Sequence, residues 1–103
     1  MDKQELRMRI AKLRLRENLS ARKLSLKLKR SPGYISKIEQ GEFFPDIDEL
    51  SAIAQICHSS LEELFYFDFD SYKLDKDCLK LIKKLNAKQK EMVTGFISSF
   101  LNV

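Results

Sequence analysis

The feature that most constrains this chain is the spacing of its apolar residues. They return every third or fourth position in short runs, and no segment alternates with a period of two over a strand's length. Leu6, Ile10 and Leu13 share one face of a helix expected over 4–17, with Asn18 as a left-handed cap and Leu19 turned back to the core. Ser20 has the hydroxyl an N-cap needs, opening a short helix over Ala21–Leu28 that carries Leu24 and Leu28 inward. Ser31-Pro32 is a sharp start signal, because proline at the first helical position loses no needed N–H and has its φ preset. A third helix is therefore expected over Pro32–Gln40, with Ile35 and Ile38 inward and Gly41 as its stop. After a loop over 42–46, Asp46 caps a fourth helix, Ile47–Cys57, with Leu50, Ile53, Ala54 and Cys57 on one face. Ser60 and Glu63 have capping-box spacing for a fifth helix running through Phe65. Five short helices around one core are expected.

The stretch 67–72 reads as a connection, and two further amphipathic segments follow. The first, Asp75–Leu85, sets Cys78, Leu81, Ile82 and Leu85 on one side. The second, Ala87–Leu101, is capped by Asn86 and repeats Met92-Val93, Phe96-Ile97 and Phe100-Leu101 every fourth residue. A helical hairpin of this kind cannot bury both faces alone; it must pack on the preceding domain or on another chain.

At 103 residues the chain has room for one domain and a small appendage. No run reaches the ~20 apolar residues of a membrane span, and the first residues lack a signal peptide's apolar stretch, so a cytoplasmic location is expected. Cys57, Cys78 and His58 have no usual metal spacing; no metal or other cofactor is expected, and the cysteines read as reduced, small apolar residues. Paired carboxylates, an activated nucleophile and a phosphate-binding loop are all missing from the motifs, which argues against an enzyme.

The net charge of +4 hides an uneven division: residues 1–38 carry +9 and residues 39–103 carry −5. Between Asn18 and Ile38 there is no acidic residue, while Arg22, Lys23, Lys27, Lys29, Arg30 and Lys37 crowd in. Such a field attracts a polyanion, although a solvated basic face with no partner would read the same way. Ser25 is small where the second and third helices would cross, Lys29-Arg30-Ser31-Pro32 make a tight turn, and the third helix shows a polar face of Gly33, Tyr34, Ser36, Lys37 and Gln40. A helix with such a face suits the major groove of a duplex, whose width accepts one helix.

Residues 9–65 resemble the lambda-repressor-like helix-turn-helix family, of Xre or Cro/C1 type. The resemblance rests on Arg9-Ile-Ala-Lys-Leu-Arg14, Leu19-Ser20, Leu24-Ser25, Ser31-Pro-Gly-Tyr-Ile-Ser-Lys-Ile-Glu39-Gln-Gly41, Pro45, Leu50, Ile53-Ala54 and Leu61-Glu-Glu-Leu-Phe65. It implies an all-α protein: a five-helix lambda-repressor-like DNA-binding domain over 1–67, then a C-terminal helical extension over 68–103 that serves dimerisation. The implied function is a sequence-specific transcriptional regulator, a repressor working as a homodimer on double-stranded DNA. The alternative is a protein-interaction module on the same scaffold, an antitoxin or antirepressor, with a protein partner on the C-terminal helices.

The resemblance also implies roles. Arg14 and Glu39 match a structural ion pair. Pro32, Gly33, Tyr34, Ser36 and Lys37 fall where bases are read, and Arg22, Lys23, Lys27, Lys29 and Arg30 fall where phosphates are met; Arg7 and Arg9 could follow the backbone from the first helix. Three departures bear on this. Ala21 stands where the family often has a phosphate-contacting Gln, and Lys29 where it usually has a left-handed Gly, so that the lysine must either accept strain or shift the turn. Pro32 and Gly33 offer no side-chain hydrogen bond, which leaves base reading to Tyr34, Ser36 and above all Lys37, whose other use would be a phosphate contact. A dimer contact is expected at Met92, Phe96, Ile97, Phe100 and Leu101; covering the chain's own core is the other use for that stripe.

Overall fold

The computed structural model describes residues 1–102 and is helical throughout, with no strand among the described residues. The helices are α1 (Lys3–Arg16), α2 (Ala21–Lys27), α3 (Tyr34–Glu39), α4 (Ile47–Ile56), α5 (Leu61–Leu64), α6 (Tyr72–Lys83) and α7 (Ala87–Leu101), with one 3₁₀ turn at Phe69–Ser71. The chain divides into two compact units, Met1–Phe69 and the segment from Asp70 onward. That division falls two residues beyond the one expected from composition.

The first unit is built from helices started by polar side chains and stopped by left-handed residues. Asp2, Ser20, Asp46 and Ser60 each accept a backbone N–H three residues on, at 2.8, 3.0, 2.9 and 3.1 Å. Each such cap is worth ~1 kcal/mol, which matters for helices too short to be stable alone. At the other ends, Asn18, Lys29, Gly41 and His58 all have positive φ, at 57°, 59°, 86° and 54°. In each case the next residue's N–H returns to a carbonyl five positions back: Leu19 to Arg14, Arg30 to Ser25, Glu42 to Lys37, Ser59 to Ala54. These are four Schellman closures, and glycine serves only one of them. Lys29 therefore accepts the strained conformation and does not shift the turn.

The core consists of Leu6, Ile10, Leu13, Leu24, Ile35, Ile38, Leu50, Ile53, Cys57 and Leu64, with Leu19, Leu28 and Phe44 packed around it. Removing a side chain of this size from water is worth ~1.5–3 kcal/mol. α2 packs chiefly on α3, and α1 touches α3, α4 and α5.

Two arginines of α1 reinforce α5, a helix of one turn. Arg9, 4% exposed, donates to the carbonyls of Leu64 (2.9 Å) and Tyr66 (2.5 Å), satisfying groups at the helix's open end. This corrects the expectation that Arg9 follows a phosphate backbone: its guanidinium is committed inward. Arg16 forms a two-pronged pair with Glu63 (2.8 and 3.0 Å), which also accepts from the Ser59 hydroxyl at 2.6 Å.

In the second unit, α6 begins at Tyr72 and not near Asp75, so most of the expected connection is already ordered. α7 opens with a reciprocal capping box, Gln89 N–H to Asn86 Oδ1 (2.8 Å) and Asn86 N–H to Gln89 Oε1 (3.0 Å). Cys78, Leu81 and Ile82 of α6, Leu85 just after it, and Val93 and Ile97 of α7 line one apolar groove. No side chain of either helix is buried.

Candidate nucleic-acid interface

The helix pair α2–α3 is fixed by one hydroxyl. Ser25 is fully buried; its Oγ donates to the Ala21 carbonyl (2.8 Å) and accepts the Ile35 N–H (2.9 Å). α3 has Gly33 at its N-cap, with no side-chain acceptor of its own. Ser25 thus caps α3 from the neighbouring helix, and the small side chain expected at the crossing also serves as the missing cap. Bonding geometry of this kind has no signature in the sequence.

α3 starts at Tyr34, two residues later than expected. Ser31, Pro32 and Gly33 form a turn closed by the Tyr34 N–H to the Ser31 carbonyl (3.0 Å), because Gly33 takes the half-in N-cap position. Pro32 and Gly33 therefore precede the helix and do not occupy its first turn. The bare Gly33 leaves space that Lys37 uses: a Cβ built on Gly33 would lie 4.0 Å from Lys37 Cε. The lysine stem runs back toward the head of α3, the direction helical side chains favour.

Two groups stand out among the basic residues of the first unit. Arg9, Arg14, Arg16 and Arg30 are held by carboxylates. Arg14 meets Glu39 through Nε (2.8 Å) and Nη2 (2.9 Å), and its Nη1 donates to the Leu19 carbonyl at 2.9 Å. The two side chains are 14% and 19% exposed, and the hydrogen bonds to Glu39 hold the Arg14 guanidinium above its ordinary pKa despite its burial. The pair joins the end of α1 to the end of α3. By contrast Arg22, Lys23, Lys27, Lys29 and Lys37 are exposed, and none of them enters an ion pair among the described residues. They all lie on α2, its following turn and α3.

Tyr34 and Arg30 stand differently from the rest of the expected set. The Tyr34 hydroxyl donates to Glu49 Oε2 (2.8 Å), its ring meets Phe43 at 5.4 Å between centroids, and Arg30 lies over it at 5.1 Å. Burial pushes the Tyr34 phenol above its ordinary pKa, against the pull of Arg30. Glu49 also pairs with Arg30. Sequence reasoning missed Glu49 altogether: it sits in the first turn of α4, far along the chain from both partners. Arg7 packs its guanidinium over Phe44, 5.5 Å from the ring centroid, with Lys3 over the same ring at 5.6 Å.

The first unit thus holds a buried two-helix crossing with an exposed, polar second helix, set among five helices. The family model Helix-turn-helix matches residues 10–64, more than half of the chain. The chain belongs to the helix-turn-helix family, in its lambda-repressor-like, Xre-type form. The match ends where α5 ends, so the family covers the first unit and leaves α6 and α7 outside it. No curated protein and no solved structure matches the chain. Membership makes this a DNA-binding helix-turn-helix domain of the regulator type. No helix among the described residues is long and apolar enough to cross a membrane.

Proposed function

We propose that the protein is a sequence-specific transcriptional regulator, a repressor that occupies its operator as a homodimer. α3 enters the major groove, with Lys37 donating to guanine O6 and N7 and Ser36 beside it. Pro32 and Gly33 contribute backbone and apolar contact at the groove's edge, and Tyr34 contributes its ring. Arg22, Lys23, Lys27 and Lys29 meet phosphates, which orient the domain without reading sequence. The observation that carries this reading is the division among the cations: Arg9, Arg14, Arg16 and Arg30 are paired with carboxylates, while five cations on α2, its turn and α3 face solvent without one.

One such helix reads only a few base pairs, so a specific binder of this type works as a two-fold dimer on half-sites one helical turn apart. The second unit supplies the contact. Met92, Phe96, Phe100 and Leu101 are 68%, 73%, 79% and 62% exposed, an apolar stripe that a second copy would cover. Ile97 is shared, since it also lines the groove against α6.

The assignment of Lys37 is tested on a panel of single-base operator variants. Lys37→Ala is expected to alter preference at particular base pairs, by ~1–3 kcal/mol for a lost bidentate contact. Lys29→Glu is expected to weaken every sequence alike. Equal loss across the panel for Lys37→Ala would remove Lys37 from the base-reading set.

A further inference from the structure

We infer that Glu49 is a positioning residue that withholds Arg30 from the DNA backbone, so that the turn before α3 presents one phosphate-binding cation, Lys29, where the sequence offers two. The inference rests on the DNA-binding reading of this surface and concerns how strongly that surface holds DNA of any sequence.

Four observations carry it. Glu49 reaches from the first turn of α4, where Asp46 caps its own N–H at 2.9 Å, to both residues that frame the turn into α3. One carboxylate oxygen pairs with Arg30 and the other accepts the Tyr34 hydroxyl at 2.8 Å. Arg30 is held from a second side, because its guanidinium lies 5.1 Å over the Tyr34 ring, within cation–π range. The Glu49 side chain is only 19% exposed, against 48% for that of Arg30, so the anion is the fixed partner and the cation the one drawn to it. Lys29, one residue away, is exposed and has no such partner.

The consequence is a trade in binding strength. Affinity for any duplex grows with each phosphate neutralised, and each adds about 0.9 to the slope of log K against log salt. A domain that binds every sequence tightly is sequestered by non-specific sites, which far outnumber operators. A carboxylate beside the turn removes one such contact without removing the arginine, which keeps its packing role on Tyr34.

The test uses the full chain and a random duplex, with binding measured between 50 and 200 mM salt for the wild type, Glu49→Gln, Arg30→Met and the double variant. Glu49→Gln keeps the shape and a neutral acceptor while removing the charge. It is expected to bind more tightly and to steepen the slope by about 0.9, so that its advantage changes about 3.5-fold across the salt range. In the Arg30→Met background the same substitution is expected to leave the slope where Arg30→Met alone puts it. No change in slope for Glu49→Gln, or an equal change in both backgrounds, would overturn the inference while leaving DNA binding intact. Absence of salt-dependent binding by the wild type would instead overturn the DNA reading and the inference built on it. A urea-unfolding cycle on the same four proteins, without DNA, reads the contact itself. Favourable coupling between Arg30 and Glu49 is expected, and additive effects would overturn the contact whatever the duplex does.

Discussion

In the first unit Ile10, Leu13, Leu24, Ile35, Ile38, Ile53 and Leu64 are wholly buried, whereas among the described residues of the second no side chain is buried and Phe96 and Phe100 stand 73% and 79% exposed. Yet the two regions have the same kind of sequence, with apolar residues at helical spacing and polar caps at the helix starts. The difference lies in the number of faces available. Five helices can enclose a common centre; two can cover only the strip between them, here the groove from Cys78 to Ile97. A unit whose core is complete can present a polar, cationic helix to an outside polymer. A unit whose apolar face stays open is suited to a partner of its own kind. The division of labour proposed here, reading by the first unit and assembly by the second, follows from that contrast.

The contrast can be broken most sharply with the two cysteines. Cys57 is wholly buried and burial pushes its thiol up to about 11, while Cys78 is exposed. A thiol reagent at neutral pH should modify Cys78 at once and Cys57 about 1000-fold more slowly or worse, through global unfolding alone. Comparable rates would mean that the first unit opens as easily as the second. The same group links stability to pH. Its folded pKa is raised from 9.0 to about 11, so stability present below pH 9 is lost as the pH rises toward 11. Cys57→Ala should flatten that part of the profile.

Next in size, Ile38→Ala should destabilise the first unit by about 2–5 kcal/mol in urea unfolding, the range for a large core side chain cut back to alanine. Phe100→Ala, a larger truncation at an exposed site, should cost the dissociated chain no more than ~0.5 kcal/mol and appear instead as weaker self-association in sedimentation. Equal losses of fold stability would erase the distinction between the units.

Glu39→Gln should cost about 2 kcal/mol, between the near-zero worth of exposed pairs and the 3–5 kcal/mol of breaking a fully buried one, because Arg14 and Glu39 are mostly but not wholly covered. The smallest effect is expected at the turn. Lys29→Gly relieves a left-handed non-glycine residue and should raise the unfolding free energy by up to ~1 kcal/mol, less the entropy that glycine adds to the unfolded chain. The same variant should bind duplex more weakly, separating fold from function at one position.

Much of this architecture was legible in the sequence because local chemistry specifies it. Ser20, Asp46, Ser60 and Asn86 are polar residues placed just ahead of apolar periodicity, and each caps the helix it precedes. Gly41 and Asn18 tolerate positive φ and close the helices expected of them. What stayed hidden depends on residues brought together from a distance. In the sequence Arg9 reads as a cation that could follow a phosphate backbone, and Arg16 draws no expectation; only the approach of α5 gives them Leu64, Tyr66 and Glu63 as partners. His58 closes α4 in a left-handed conformation that its residue type does not announce. In the candidate site, the exposed lysines could be picked out by charge and spacing. Glu49, 15 residues from Tyr34, could not, because nothing in its own neighbourhood distinguishes it from any other acidic residue in a helix's first turn.

The central claim is that one unit reads DNA while the other pairs two copies of it. Selecting sites for the full chain from a random duplex pool tests both halves together. The account predicts enrichment of inverted half-sites about 10 base pairs apart, centre to centre, with binding that weakens steeply as salt is raised. Recovery of a single half-site with no symmetric mate would contradict the pairing, and recovery of no sequence at all would contradict the reading.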